Sequence, residues 1–472
     1  DWFLQPLPGT DVALMLAMIH VLVRDHLIDI DYVREHTVGF DELVEHVAEW
    51  TPRRAAEVCG IDAADIETLA RRYATEQPSA IRTLVGAEHH EHGAMFFRTL
   101  ACLPALVGAW RHLGGGYARS VSAWTNEVVD VAALTRPDLL GGRAPRGIPM
   151  PQLGRALTDT TLAPPLKAVV MIGVNAMVSV PETELVRRGL LRDDLFTVVH
   201  DQFLTDTARY ADIVLPATTQ IEATDAVTSW GSLHVGWNEA AIDPVGEAVS
   251  NSELHRRLAA AMGFTDEALF HDDLTALRAA LPSLDFDQLR RTAVADVPYP
   301  ADRRPYAHGG FGGRTGKVEL RSDTLAQLGQ PALPEYLEAN ESPTSEFPFL
   351  LLTPKQQTRF LNSSYSHLPA HGPLEVPPAL EMCASDAAAL GLDDNDIAVV
   401  HNHRAALQLP VRITNRMRPG VVAVPWGWWS HHHGGPTAPV ANSLTSDAAT
   451  DWGGGVAFWD TVVAVAPAAT RQ

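Results

Sequence analysis

The chain has little cysteine and no excess of basic residues. Its three cysteines, Cys59, Cys102 and Cys383, lie far apart and form no CxxC pair. They therefore supply neither the thiolates of an iron–sulfur cluster nor a disulfide framework. Lysine and arginine number 36 against 57 aspartates and glutamates, which gives a net charge of −21. Because proteins that follow a phosphate backbone carry basic surfaces, this balance argues against a nucleic-acid partner.

A long hydrophobic run is also missing. The longest apolar stretch, residues 12–23, is interrupted by His20 and followed by charged residues. It falls short of the roughly 18 apolar residues that a membrane-spanning helix needs, so no membrane span is predicted. The sequence opens at Asp1 in what resembles the middle of a domain, and we expect further sequence upstream. The sequence does not determine the cellular compartment of the protein, and the cytoplasm is the default expectation.

Several common enzyme motifs are absent. There is no GxGxxG in a strand–turn–helix setting and no GxSxG, so nicotinamide-dinucleotide and serine-hydrolase functions lose their main support. Residues 309–317 (GGFGGRTGK) resemble a phosphate loop, but Phe311 and Val318 stand where glycine and a hydroxyl residue are needed. Two histidine clusters, at residues 86–93 (GAEHHEHG) and 431–433, lack HExxH spacing. A zinc-dependent hydrolase is therefore a weak alternative, and a pocket-lining role is favoured.

The first half of the chain shows helical and then alternating α/β patterns. Its 472 residues exceed one ordinary core, which predicts two or three domains. Helices are predicted at residues 12–29 and 63–75, and a buried strand at 80–85. The middle of the chain alternates strands with helices, which predicts a doubly wound parallel sheet buried on both faces. These strands are expected at 168–172, 195–199 and 213–215, with helices at 182–191 and 205–210.

The carboxy-terminal part has a different pattern. Residues 280–345 are rich in proline, glycine and aspartate and predict a crossing segment or linker. Short β-rich runs then surround one helix at 384–390, which predicts a compact β-barrel. The predicted barrel strands are residues 349–353, 396–400, 406–413, 421–425 and 461–465.

Polar side chains follow successive strands of the predicted parallel sheet. Asn175, His200, Asp201 and Glu222 all fall just past predicted strand ends. Each one alone is typical of a turn. The carboxyl ends of parallel strands meet along one crevice. These four residues together therefore predict a site in which polar side chains form hydrogen bonds with the edges of a ligand.

Several ordered motifs resemble one known family, the dimethyl sulfoxide reductase family of molybdenum enzymes. Residues 8–14 (PGTDVAL), 173–183 (GVNAMVSVPET) and 203–216 (FLTDTARYADIVLP) are similar to its PGTDxAL, GxNPxxSxPxT and xxTETAxxADVVLP segments. The last domain looks like its dinucleotide-binding barrel. The resemblance implies an α/β fold with doubly wound parallel-sheet domains and a C-terminal six-stranded, double-psi-like β-barrel. The expected domains are residues 1–110, 111–300 and 346–472, with 301–345 as the linker.

The resemblance also implies a cofactor. Members of that family hold two molybdopterin guanine dinucleotides around one molybdenum or tungsten, for two-electron redox chemistry on a small-molecule substrate. One guanine nucleotide is expected at Gly9, Thr10 and Asp11, with Gly86 approaching the pterin. The other is expected in the crevice, at Asn175, His200, Asp201 and Asn251. Pyrophosphate or pterin contacts are expected at Thr353, Lys355, Arg359, Asn362 and Ser363. Asn442 and the Trp426 loop are expected to close over the pterins.

The family's metal ligand, and its 4Fe-4S cysteines where present, lie in an amino-terminal region without a counterpart here. No metal ligand or catalytic residue is therefore assigned in this chain. We expect that region on missing sequence or another chain, together with an electron-transfer partner subunit. The alternative is a non-catalytic scaffold of the same fold within an electron-transfer complex. The retained binding positions favour the enzyme: Asp11, Asn175, Asp201, Arg359 and Asn442.

Overall fold

The amino-terminal part packs short helices around one buried helix. The computed structural model describes residues 1–355, 368, 370 and 376–469. Helix α1 (Asp11–Arg24) is apolar on nearly every side, and its Leu16, Ile19 and Leu22 are fully buried. Around it lie α2 (Ile30–His36), β1 (Thr37–Val38), α3 (Phe40–Val47), α4 (Pro52–Cys59), α5 (Ala63–Thr75), β2 (Ala80–Arg82), α6 (Gly93–Leu106) and β3 (Gly116–Ala118).

Local signals set the helix boundaries in this part. The Thr51 side chain accepts a hydrogen bond from the Arg54 amide, and Gly60 ends α4 at a φ of 65°, as N-cap and C-cap residues do. Helix α1 ends before the predicted residue 29 because His26 adopts a φ of 55°, which helical backbone cannot continue. The predicted buried strand at 80–85 is wrong. Strand β2 is shorter, pairs with β3 alone among the described strands, and leaves Arg82 exposed.

The middle of the chain contains the predicted parallel sheet. Strands β4 (Ala168–Ile172), β5 (Phe196–Asp201) and β6 (Ile213–Pro216) are adjacent and parallel. Helices α9 (Leu153–Thr158), α10 (Ala176–Ser179) and α11 (Thr183–Leu190) cover the face that carries Met171 and Val199. Burial on both faces was a wrong prediction, because Val170, Phe196 and Ile213 on the other face are 49%, 48% and 43% exposed.

The middle of the chain also contains a second apolar core, which includes residues of an antiparallel sheet. Strands β7 (Asp225–Thr228), β8 (His234–Asn238) and β9 (Val294–Asp296) form an antiparallel sheet. The predicted helix at 205–210 is a 3-10 turn, Ala208–Tyr210. The helices of this region are α7 (Ser122–Asn126), α8 (Val131–Thr135), α12 (Asn251–Ala261), α13 (Asp273–Ala280) and α14 (Phe286–Thr292).

The predicted linker packs against the amino-terminal core. Its strand β10 (Val318–Glu319) pairs in parallel with β1, and α15 (Asp323–Gln327) follows. Leu320 is fully buried among the residues of the first core. The segment therefore contributes to folding of a part of the chain that lies far from it in sequence. The division into domains at residues 110, 300 and 345 stays a proposal.

The last part is a closed six-stranded barrel, so the predicted mixed α/β fold with a carboxy-terminal barrel is confirmed. Strand β12 was not predicted, because it is short and carries Glu381, whose carboxylate pairs with Arg412 and Arg416. Within the described residues, no helix has the length and apolarity to cross a membrane. The barrel elements are β11 (Phe349–Leu352), β12 (Leu380–Met382), α16 (Ala384–Leu390), β13 (Ile397–His401), β14 (Ala406–Ile413), β15 (Val421–Ala423) and β16 (Val462–Pro467).

Replacing Leu320 with alanine tests whether the crossing segment is part of the first core. We expect Leu320→Ala to lower the free energy of unfolding by about 2–5 kcal/mol, because it leaves a cavity in a packed interior. Leu328→Ala, in the same segment but 70% exposed, should change it by less than about 0.5 kcal/mol. Denaturant unfolding of both variants is the measurement, and equal small effects would contradict this packing.

Candidate functional site

One candidate site is a large cavity of about 430 Å³ between the amino-terminal core, the crossing segment and the start of the barrel. Gly9, Thr10 and Asp11 form part of its wall, where the chain turns into α1. The Thr10 hydroxyl donates to the Leu7 carbonyl at 2.6 Å, and Gly9 has a φ of 79°. The turn presents Asp11 at a helix N-terminus, where the helix dipole favours negative charge.

A buried histidine–aspartate pair lies on the same wall. His90 Nδ1 is 2.5 Å from Asp460 Oδ1, and both residues line the cavity. The other oxygen of Asp460 accepts from the backbone amide of Glu91. Burial raises the pKa of Asp11, and nearby His90 acts against that rise. The cavity wall therefore holds the carboxyl groups of Asp11 and Asp460 and the imidazole of His90.

A smaller cavity of about 240 Å³ adjoins the first and shares Asp11 and His90 with it. Gly86 also lines it, and a Cβ on Gly86 would lie 2.9 Å from the Trp459 ring. Glycine is therefore required there for close packing. Arg418 Nε and Trp459 Nε1 are buried here and have no hydrogen-bond partner among the described residues. The predicted residues Gly9, Thr10, Asp11 and Gly86 are thus brought together.

The second group of predicted residues meets at the carboxyl edge of the parallel sheet. Asn175 follows β4 and accepts hydrogen bonds from the Thr207 amide and hydroxyl at 3.2 and 2.8 Å. His200 is fully buried in β5. Burial raises the pKa of Asp201, whose carboxylate accepts from the amides of the next two residues. Exposed Asn251 starts α12 just after Val249, which bridges Ala217 beyond β6.

Three polar atoms at this edge have no hydrogen-bond partner in the described part of the chain. They are Asn175 Nδ2 and the two ring nitrogens of His200. Glu222 differs from its predicted role, because its carboxylate binds the Thr219 amide and hydroxyl and the Val245 amide. These hydrogen bonds lower the pKa of Glu222. The Glu222 side chain therefore stabilises the loops around it. Asn175 and His200, by contrast, have side-chain nitrogen atoms without a partner among the described residues.

The predicted cofactor-binding residues of the barrel differ in their surroundings. Thr353 is buried and its hydroxyl has no described partner, and Lys355 forms a parallel bridge with Trp426. The amide of Asn442 donates to the Val178 carbonyl at 2.8 Å, so this side chain fastens the barrel to the α/β region. Arg359, Asn362 and Ser363 lie outside the described residues.

One contact between the α/β region and the barrel escaped sequence reasoning. Asp206 is 2% exposed and accepts from the Ser430 amide at 2.7 Å and from His431 Nδ1. No local pattern reveals such a pair, because its members are separated by more than two hundred residues. His431, one of the clustered histidines at residues 431–433, is therefore paired with Asp206. In the described residues, no three His, Cys, Asp or Glu side chains form a group that could hold a metal ion.

Comparison with known proteins identifies the family. The molybdopterin oxidoreductase family model matches residues 3–261, and the molydopterin dinucleotide binding domain matches residues 349–462. Probable oxidoreductase YoaE of Bacillus subtilis is 40% identical over 97% of this chain and 67% of its own length. The chain belongs to the molybdopterin oxidoreductase family, as the ordered motifs predicted.

More distant relatives agree with this family. The F420-dependent formate dehydrogenase subunit alpha of Methanocaldococcus jannaschii is 25% identical over 90% of this chain and 65% of its own length. The structure of acetylene hydratase from Pelobacter acetylenicus matches with a TM-score of 0.78 and 23% identity, over 98% of this chain and 71% of that one. This structure shows the same fold. The chain spans about two thirds of the length of the curated relatives it matches.

Removing Asp206 should loosen the barrel loop that it holds. We expect Asp206→Ala to lower the free energy of unfolding by about 1–3 kcal/mol, because the buried Ser430 amide loses its acceptor. Proteolysis within residues 426–435 should become faster. Asp138→Ala removes an exposed pair with Arg136 and should cost less than about 1 kcal/mol. Thermal melting and limited proteolysis measure both effects, and an unchanged cleavage rate in Asp206→Ala would count against the contact.

Proposed function

We propose that the chain is the catalytic-subunit portion of an oxidoreductase that binds two molybdopterin guanine dinucleotides around molybdenum or tungsten and performs two-electron chemistry on a small molecule. The observation that carries the proposal is the set of buried polar atoms at both candidate sites that have no hydrogen-bond partner among the described residues. A buried donor or acceptor without a partner is costly. A bound ligand would complete these hydrogen bonds and remove that cost.

The sheet edge fits one guanine nucleotide. Three buried nitrogen atoms of Asn175 and His200, which have no partner among the described residues, can form hydrogen bonds with it, and Asp201 adds carboxylate oxygens. Nitrogen donors and carboxylate acceptors suit the mixed edge of a purine and the hydroxyls of a ribose. Asn251, exposed at the start of α12, is proposed to contact the outer part of the same nucleotide.

The large cavity fits the other nucleotide. A carboxylate at Asp11 accepts from the adjacent N–H groups that guanine presents on one edge. The backbone of the Gly9–Thr10 turn is proposed to lie against the ligand, and a pterin is proposed for the adjoining cavity that Gly86 lines. In the barrel, the proposed pyrophosphate and pterin contacts are Thr353, Lys355, Arg359, Asn362, Ser363, Trp426 and Asn442.

The metal, held by the pterins, would supply the redox chemistry, while the chain would bind, orient and shield the cofactor. The metal ligand, any 4Fe-4S cluster and an electron-transfer partner are proposed to belong to other sequence. The relatives include a subunit named formate dehydrogenase and a hydratase. Because these names give different substrates and reactions, no single substrate is proposed for this chain.

Metal and nucleotide analysis of the purified full-length protein tests this proposal. We expect about one molybdenum or tungsten and about two guanine nucleotides per molecule, released on denaturation. If protein from a host that makes the cofactor contains neither the metal nor the nucleotides, the chain is a non-catalytic scaffold instead of an enzyme. Stoichiometric zinc alone would instead favour a hydrolase.

Replacing His200 with leucine separates a ligand-binding role from a structural one. His200→Leu should leave the apoprotein as stable or more stable, because its ring nitrogens have no described protein partner and an apolar group suits a buried position. The nucleotide content should fall by about half, since one of two sites loses donors. The control is His20→Leu, whose ring contacts the Val47 carbonyl at 2.9 Å. It should destabilise the fold without changing nucleotide content, and the reverse pattern would contradict the role of His200.

A further inference from the structure

A further cavity, of about 350 Å³, lies at the barrel between β14 and the loop that follows β15. Part of its wall is made by buried side chains of the barrel core, Leu407, Leu409 and Val424. Two tryptophans of the loop, Trp428 and Trp429, also line it. The cavity is therefore bounded mainly by apolar and aromatic groups, as cavities that bind small molecules are.

The wall of this cavity has no acidic side chain, lysine or arginine, although the protein has a net charge of −21. Among the described residues that line it, none is Asp, Glu, Lys or Arg. Besides the tryptophans, its polar side chains are Gln408, Ser430 and His433. A charged ligand would lose its hydration in such a place without gaining an ion pair. The site therefore suits an uncharged molecule.

Trp428 contributes a buried hydrogen-bond donor to the cavity wall. Trp428 is 7% exposed, and its Nε1 has no hydrogen-bond partner among the described residues. Its ring meets the His433 ring edge-on, with the centroids 4.6 Å apart, which restricts the rotation of the indole. An indole N–H can only donate, and leaving it unsatisfied in a buried place costs free energy. The group that completes this hydrogen bond must therefore be an acceptor.

The loop that carries Trp428 is held in place by contacts with the α/β region. Asp206 accepts a hydrogen bond from the Ser430 amide at 2.7 Å. The ring of Trp429 meets that of Phe203 with the centroids 6.4 Å apart. These contacts fix the wall of the cavity without a ligand, which is typical of a preformed binding site.

We propose that this cavity binds a small uncharged molecule with an aromatic body and one hydrogen-bond acceptor, such as a carbonyl oxygen. Trp428 Nε1 donates to the acceptor, and the indole rings and apolar side chains cover the aromatic body. An apolar cavity of about 150 Å³ can hold benzene, so this one has room for a substituted ring. The site is separate from the proposed cofactor contacts and does not depend on them. None of the described barrel residues proposed for those contacts lines it: Thr353, Lys355, Trp426 and Asn442.

The test is the binding of three probes to the purified full chain, measured by ligand-observed NMR titration. Acetophenone has an aromatic ring and one carbonyl, ethylbenzene has the same carbon skeleton without the acceptor, and benzoate carries a charge. We expect acetophenone to bind with a dissociation constant of about 1 mM or less, which a ligand of this size can reach. Benzoate should bind at least about tenfold more weakly, because its charge loses hydration.

Trp428→Phe removes the donor and keeps an aromatic ring in the wall. The ratio of the ethylbenzene dissociation constant to that of acetophenone should fall by about three- to tenfold, the effect of one lost hydrogen bond. Trp452→Phe is the matched control. Nε1 of Trp452 is also buried without a described partner, but Trp452 does not line this cavity. In that variant the ratio should equal the wild-type ratio.

Three results would overturn the inference. The first is that the wild type does not bind acetophenone up to its solubility. The second is that Trp428→Phe weakens both probes equally or leaves the ratio unchanged, because Trp428 is then not the donor. Ala438→Leu, which narrows the cavity and keeps Trp428, is the second variant should Trp428→Phe not fold, and it should weaken both probes. The third is unchanged binding in Ala438→Leu, because the probes then bind elsewhere.

Discussion

The carboxylate of Asp460 joins the end of the barrel to the loop between β2 and α6. One oxygen contacts His90 and the other accepts from the Glu91 amide. The Glu91 side chain in turn accepts from the backbone and side chain of Asn340 in the crossing segment. Two buried carboxylates, those of Asp460 and Glu91, therefore connect three distant stretches of chain. The walls of the large cavity depend on this junction, because each of the three stretches contributes to them.

Other acidic residues near the carboxy terminus make similar junctions. Asp451 accepts from the Ala94 and Met95 amides at 3.2 and 3.3 Å, which satisfies free N–H groups at the start of α6. Asp447 forms a two-pronged pair with Arg155 at 2.6 and 2.8 Å. The barrel is thus fastened both to the helical core and to the α/β region. These contacts fix the positions of the barrel, the helical core and the α/β region relative to one another. A cofactor that binds between them would depend on the same contacts.

The sequence predicted features that depend on local patterns. The helix Ala384–Leu390 has its predicted bounds, and Asn175 and His200 lie at the sheet edge because apolar runs mark where strands end. The pair of His90 with Asp460 was not predicted, since its members are 370 residues apart and neither stands in a periodic pattern. The open face of the parallel sheet was also missed, because an apolar run does not reveal what covers it.

The large cavity and the sheet edge are proposed to be two separate sites, each of which holds one guanine nucleotide. An experimental structure of the cofactor-loaded full-length protein tests it most directly. The account predicts one guanine within hydrogen-bonding distance of Asp11 and the other within that distance of His200 or Asp201. Bound dinucleotides whose bases lie away from both groups would contradict it.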